Sequence, residues 1–181
     1  NEVFDIEKAK VDDALAHGPY FIDDGKVDDE IGELVYSINE LPFVYSFSSC
    51  SGHFRTREDI FKRVRHKDES LLFGLPPEGH GRYFNGYLGL VFKPTPISRK
   101  FIYDLQEIVR QHDGASIRYW PPIFDTHDGQ NYGLKFEVSF DNKKQRFRIG
   151  APAILSLEEG FESRAKVKSL IDRLRELSVR T

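Results

Sequence analysis

The stretch Phe43 to Arg55, "FVYSFSSCSGHFR", holds the chain's only cysteine. Cys50 is flanked by Ser48, Ser49, Ser51 and Gly52, with His53 three residues on and Arg55 beyond it. Small residues let backbone amides approach a ligand, hydroxyls add donors and acceptors, and His53 with Arg55 adds positive charge. Together these describe an anion-binding nest at the end of a strand. A thiol becomes a nucleophile when a nearby base or cation lowers its pKa, a part His53 could play if its ring turned back. The competing reading is an inert buried thiol with serines tying down a turn, and spacing leaves both open.

Two further segments combine bases with rings. In "HGRYFNGY", His80 and Arg82 stand among glycines beside Tyr83, Phe84 and Tyr87, and "IRYWPP" holds Arg118, Tyr119 and the single tryptophan, Trp120. Aromatics beside bases suit stacking on a nucleobase, although the same rings could be core. The run "RTREDIFKRVRHK" follows the cysteine directly. Its Arg57, Lys62, Arg63, Arg65 and Lys67 could hold an RNA backbone, or form a solvated helix face. "FDTHDGQN" lacks the calcium-loop pattern and reads as a polar turn. No Walker loop, dinucleotide fingerprint, zincin helix or zinc pattern is present, so no metal is expected.

The elements that must position these residues follow from periodicity. Val3, Ile6, Val11 and Leu15 mark a helix stopped by Gly18-Pro19, and Ile31, Leu34, Val35 and Ile38 mark a second, with acids in its first turn. Phe43 to Ser49 alternates as a strand. Thr56 caps a short helix with Ile60, Phe61 and Val64; Gly86 to Pro94 reads as a buried strand. Ser98 caps a helix with the stripe Phe101, Ile102, Leu105, Ile108 and Val109. "ASIRYW" is a strand, and "YGLKFEVSF" joins "QRFRIG" in a hairpin that completes the sheet. A long helix from Leu157 to Val179 turns Phe161, Val167, Leu170, Ile171, Leu174 and Leu177 inward. The expectation is one α+β domain over residues 1–181, a mixed or antiparallel sheet packed by helices.

Composition narrows the class. The 181 residues carry a net charge of −3, but residues 1–40 hold 12 acids against 3 lysines, so an acidic front precedes a basic body. One cysteine makes no internal disulfide, and no apolar run approaches the roughly 20 residues that span a bilayer. With no basic, apolar leading segment either, a cytoplasmic protein without membrane partners is expected. The natural start is left open by a chain that opens on Asn1 and holds no methionine.

From Gly25 to His53 the sequence "GKVDDEIGELVYSINELPFVYSFSSCSGH" resembles the start of the tRNA wybutosine-synthesising protein 3 family. The shared features are a Gly-x-Ile/Val-Asp opening (Gly25, Val27-Asp28), a helix ending in Ile-Asn (Ile38-Asn39) and a strand running into Ser-Ser-Cys-Ser-Gly. His53 stands where the family has Arg, and Ser46-Phe47 where it has two threonines. The resemblance implies an α+β protein that transfers a methyl group from S-adenosylmethionine to a partly built guanine-derived base of phenylalanine tRNA. Ser48 to His53, Arg55, His80 and Arg82 are then the candidate ligand site, and Arg57 to Lys67 the tRNA contact. The rivals are a non-catalytic module binding RNA or an anionic metabolite, and an assembly protein using its C-terminal helix.

Overall fold

The spacing of Ile31, Leu34, Val35 and Ile38 places four branched side chains on one helical face, and that face is buried. The helix is α2 (Asp29–Asn39), preceded by α1 (Glu2–Ala16). The structure, a computed structural model, describes residues 2–16, 29–64, 74–121, 123–124, 131–141 and 152–181. The Gly18-Pro19 stop, "DTHDGQ", Arg65, Lys67 and the second arm of the expected hairpin lie outside them.

The stripe of α1 differs from the expected one. Phe4, Lys8, Val11 and Leu15 are buried, while Ile6 is 49 % exposed. A charged residue occupies one slot of the inward stripe, so the apolar pattern misreads the phase. The Lys8 ammonium donates to the Asn39 carbonyl at 2.5 Å and to Asp12 at 3.0 Å, which satisfies it where its stem is buried. Asn39 in turn closes α2 onto the first strand. Its side-chain amide donates to Ser46 Oγ (2.7 Å), and its Oδ1 accepts from the Ser46 amide (3.0 Å).

The strands are β1 (Val44–Cys50), β2 (His53–Thr56), β3 (His80–Phe84), β4 (Tyr87–Phe92), β5 (Ser116–Tyr119), β6 (Ile123–Phe124), β7 (Asn131–Ser139) and β8 (Ala153–Ser156). One antiparallel sheet runs β1-β4-β7-β5 with β6 on β7, and a second runs β2-β3-β8. Expectation placed the end of the sheet near Gly150, yet β8 follows and pairs with β3, far away in sequence. Four residues give too short an alternation to announce a strand. The remaining helices are α3 (Arg57–Val64), α4 (Pro96–Arg110) and α5 (Leu157–Arg180). Thr56 caps α3 as expected, by a reciprocal pair of bonds with Asp59. The cap of α4 is Thr95, with Ser98 as the third helical residue that reaches back, so the capping box begins three residues earlier than expected.

One core joins α1, α2, α4 and α5 to the larger sheet. Phe101 of α4 packs edge-on to Phe43 and tilted to Phe92. Helix α5 buries Gly160, Ser163, Val167, Leu170, Ile171 and Leu174, whereas Phe161, expected inward, is 59 % exposed. The small residues Gly160 and Ser163 set the inward phase because the Phe54 ring fills the space a Cβ at 160 would take.

The two sheets share their strands at a corner. Cys50 pairs with Tyr87 and His53 with Phe84, so β1-β2 and β3-β4 keep one register while passing from one sheet to the other. The backbones touch there. A Cβ on Gly52, at φ +77°, would lie 2.6 Å from the Gly86 nitrogen, and one on Gly86 would lie 2.6 Å from the Ser51 carbonyl.

Gly79 gives the comparison, because its φ is +70° but nothing lies within 4 Å of an added Cβ. Gly79→Ala is expected to cost only the left-handed penalty of about 1–2 kcal/mol. Gly52→Ala should cost at least twice that, read as urea midpoints at equal slope. Equal losses would show that the corner has room.

Candidate functional site

The corner decides where each candidate residue points. Ser48, Ser49 and Cys50 lie in the β1-β4 ladder opposite Gly89, Leu88 and Tyr87. Alternate residues face opposite sides, so Ser49 stands on the side of the buried Leu88 and is separated from Ser48 and Cys50. Ser51 is fully buried, and its carbonyl accepts from Arg164 of α5 at 2.6 Å. The Gly52 amide, expected to turn outward, donates instead to Cys50 Sγ at 3.4 Å. Main-chain packing accounts for the small residues of this turn. The polar chemistry of the corner therefore comes from side chains.

His53 does turn back. Its Nε2 lies 3.8 Å from Cys50 Sγ, which brings base and thiol to the loose end of hydrogen-bonding reach. Beyond the corner, register and alternation put His53 and Arg55 of β2 on the same side as His80, Arg82 and Phe84 of β3. The Arg55 guanidinium sits 5.8 Å from the Phe84 ring centroid, a cation–π contact. Arg82, directly opposite Arg55, is only 2 % exposed, so it belongs to the floor of this face. His80 lies at the far end, its Nδ1 2.9 Å from the Glu78 carbonyl.

A cleft of about 420 Å³ opens beside this face. It is lined by Gly52, His53, Phe54 and Arg55, by Asp59 and Lys62 of α3, and by Glu30 and Arg164. Both carboxylates have partners: Asp59 accepts from the Thr56 hydroxyl at 2.8 Å, and Glu30 is ion-paired with Arg164. Among the described residues, three basic side chains, Arg55, Lys62 and Arg164, against two carboxylates give the lining a net positive charge. Of the expected RNA contacts, Lys62 lines the cleft, whereas Arg57 turns away and donates to the Pro76 carbonyl at 2.7 Å. Arg63 belongs to α3.

Arg164 and Glu30 were not among the sequence candidates. Arg164 carried a signal: it stands four residues after Gly160 and three before Val167, on the inward stripe of α5, where a charged residue needs a partner. Glu30 looked like the other acids in the first turn of α2.

Asn85 and Gly86 latch the other side of the corner. Asn85 donates to Ser139 Oγ and accepts from the Asp141 amide at 2.7 Å, while the Gly86 carbonyl accepts from Phe140 at 2.9 Å. Tyr83 is buried behind them. Desolvation first, and the Asp141 carboxylate second, push its phenol well above the ordinary value of 10.0.

No family model matches the chain, and no curated protein matches it. Among solved structures it is similar to the PH1069 protein from Pyrococcus horikoshii, at 14 % identity and a TM-score of 0.60. That likeness covers 97 % of this chain and 95 % of the other, and at this identity it is one of fold.

The raised Tyr83 pKa makes a signed prediction. Folding favours the protonated phenol, so its stabilisation is complete below pH 10 and lost as pH rises through the higher folded-state value. The stability gap between the parent and Tyr83→Phe should therefore stay constant from pH 8 to pH 10 and move against the parent above that. A gap independent of pH up to 11.5 would place the phenol in solvent.

Proposed function

We propose that this protein acts on a nucleotide or tRNA at the corner cleft, transferring a methyl group from S-adenosylmethionine, in the cytoplasm. One observation carries the reading. Gly52, His53, Arg55 and Lys62, drawn from two separate sequence candidates, line a single positive cleft that Arg164 completes from a helix more than a hundred residues away.

The residues fit a polar, carboxylate-bearing nucleoside. The cleft volume falls within the roughly 300–1,000 Å³ of small-molecule sites. Arg55 and Lys62 supply charge-assisted donors for a carboxylate or phosphate, and Phe54 offers an apolar wall. Asp59, fixed by the α3 cap, leaves acceptor capacity for a hydroxyl or amine. When bound, S-adenosylmethionine supplies the methyl group on a sulfonium. The chain's own task is then orientation: a pre-formed cleft on paired strands holds two reactants in line. Cys50 lies outside the cleft lining and touches it through His53, and at 3.8 Å that contact is looser than a strong charge-assisted bond, which suits a thiol that is not the nucleophile. The resemblance over Gly25 to His53 supports the same activity. Helix α5, the candidate assembly surface, spends its apolar stripe on this chain's own core.

Calorimetric titration with S-adenosylmethionine is expected to give saturable heat, weakened tenfold or more by Arg55→Ala, since a hydrogen bond to a charged group contributes about 1.5–3 kcal/mol. Cys50→Ser should leave that affinity within about twofold of the parent if the thiol is not a nucleophile. No heat at millimolar ligand removes the methyltransferase reading. Heat without methyl transfer to phenylalanine tRNA carrying the partly built guanine-derived base turns the protein into a binding module.

A further inference from the structure

The larger sheet carries on one face a ladder of rings and cations that the corner cleft does not use. The register of β1 shifts between Ser46 and Ser48, leaving Phe47 as an extra residue in a bulge, a device that re-aims a side chain. Its ring lies over Gly89 of β4: a Cβ there would sit 2.5 Å from Phe47 Cζ. From β7, Lys135 Nζ stands 4.0 Å from the Phe47 ring centroid and 5.0 Å from that of Trp120. Arg118 of β5 stands 4.6 Å from the Trp120 ring. The order across the face is Phe47, Lys135, Trp120, Arg118, alternating ring and cation.

This arrangement leaves ring and cation surface open in a form suited to a ligand. Trp120, the chain's only tryptophan, is 37 % exposed, and Arg118 is exposed. Among the described residues of the row, Glu137, opposite Arg118 in the ladder, stands against the two cations Arg118 and Lys135. Indole and guanidinium planes are the surfaces on which unpaired bases stack, and two lysine or arginine heads beside them meet the intervening phosphates. A protein partner would gain little from rings already faced by cations. The strand bearing Phe47 continues through Cys50 to the corner, so ring ladder and cleft lie within about 20 Å along one strand.

We propose that this face docks single-stranded RNA, with a base stacked on Trp120 and Arg118 and with Lys135 at an adjacent phosphate. The inference rests on the nucleotide-directed reading and names where its RNA partner lies.

Because Trp120 is unique, its fluorescence reports the site directly. Titration of the full chain with an unstructured RNA dodecamer and with a stem-loop of equal length is expected to quench it, more strongly for whichever presents unpaired bases. By anisotropy of labelled RNA, Trp120→Ala should weaken binding about tenfold or more, equivalent to about 1.4 kcal/mol, while Trp120→Phe recovers most of it. Arg118→Ala and Lys135→Ala should each lower affinity and reduce the salt slope by about one. Far-ultraviolet dichroism of each variant checks the fold. RNA that binds with unchanged Trp120 emission and is indifferent to these variants overturns the inference but leaves the cleft reading standing. Quenching by RNA in a protein that takes up no S-adenosylmethionine supports the docking face and sinks the methyl-transfer reading. A chain that binds no RNA at low salt overturns the inference and the tRNA reading together.

Discussion

Two paired strands change sheets together without losing register, and the contact of their backbones at Gly52 and Gly86 is the constraint on which the rest of the molecule hangs. At a crossing where an added Cβ would fall 2.6 Å from main-chain atoms, only glycine fits on either strand. Arg164 then ties the Ser51 carbonyl to α5, and Asn85 ties the opposite strand to the end of β7. A buried carbonyl left without a donor costs about 1–3 kcal/mol, so these two latches hold the bend from both sides. Its geometry is also what brings the His53 ring round to within 3.8 Å of the Cys50 sulfur. The small residues around the thiol are therefore explained by the packing of the chain on itself, and the function of the corner by what it aims outward.

The charge asymmetry along the chain becomes a spatial relation. Asp5 pairs with Lys93, Glu30 with Arg164 and Glu33 with Arg175, so among the described residues the acidic front is laid against the basic body. The Lys93 ammonium holds the Asp5 carboxyl below its usual range through a direct hydrogen bond. Exposed pairs of this kind contribute about 0–1 kcal/mol each, so they add little to stability. Their consequence is local neutralisation: Glu33 answers Arg175, and Glu30 answers Arg164 at the cleft that Arg55 and Lys62 also line.

What could be read from the sequence was set by the range of the interactions involved. Helix α2 and the stripe of α4 were legible because their burial is written in apolar residues three and four apart. Lys8 hid the phase of α1, since a lysine that buries its stem and hydrogen-bonds its head looks like surface. Strand β8 and the inward phase at Gly160 depend on β3 and Phe54, partners that no local pattern encodes. At the site, His53, Arg55 and Lys62 were legible as bases near the cysteine. Their meeting with Arg164 was not, because 113 residues separate Arg164 from Ser51.

The corner also divides labour between the two sheets. Before it, Phe47, Ser48 and Cys50 face the side of the larger sheet where rings and cations alternate, while Ser49 faces the buried Leu88, and after it His53 and Arg55 line the cleft. Moving along one strand thus passes from a surface of rings and cations to one of charged hydrogen-bond donors, with Gly52 as the joint. A flexible linker between two such surfaces would let their separation vary and would charge each encounter the entropy of ordering it. Here the separation is fixed by antiparallel pairing on both sides of the bend, so the relative placement of the two surfaces is a property of strand register. That is why a residue pair as unobtrusive as Gly52 and Gly86 governs more of this molecule's chemistry than the cysteine beside it.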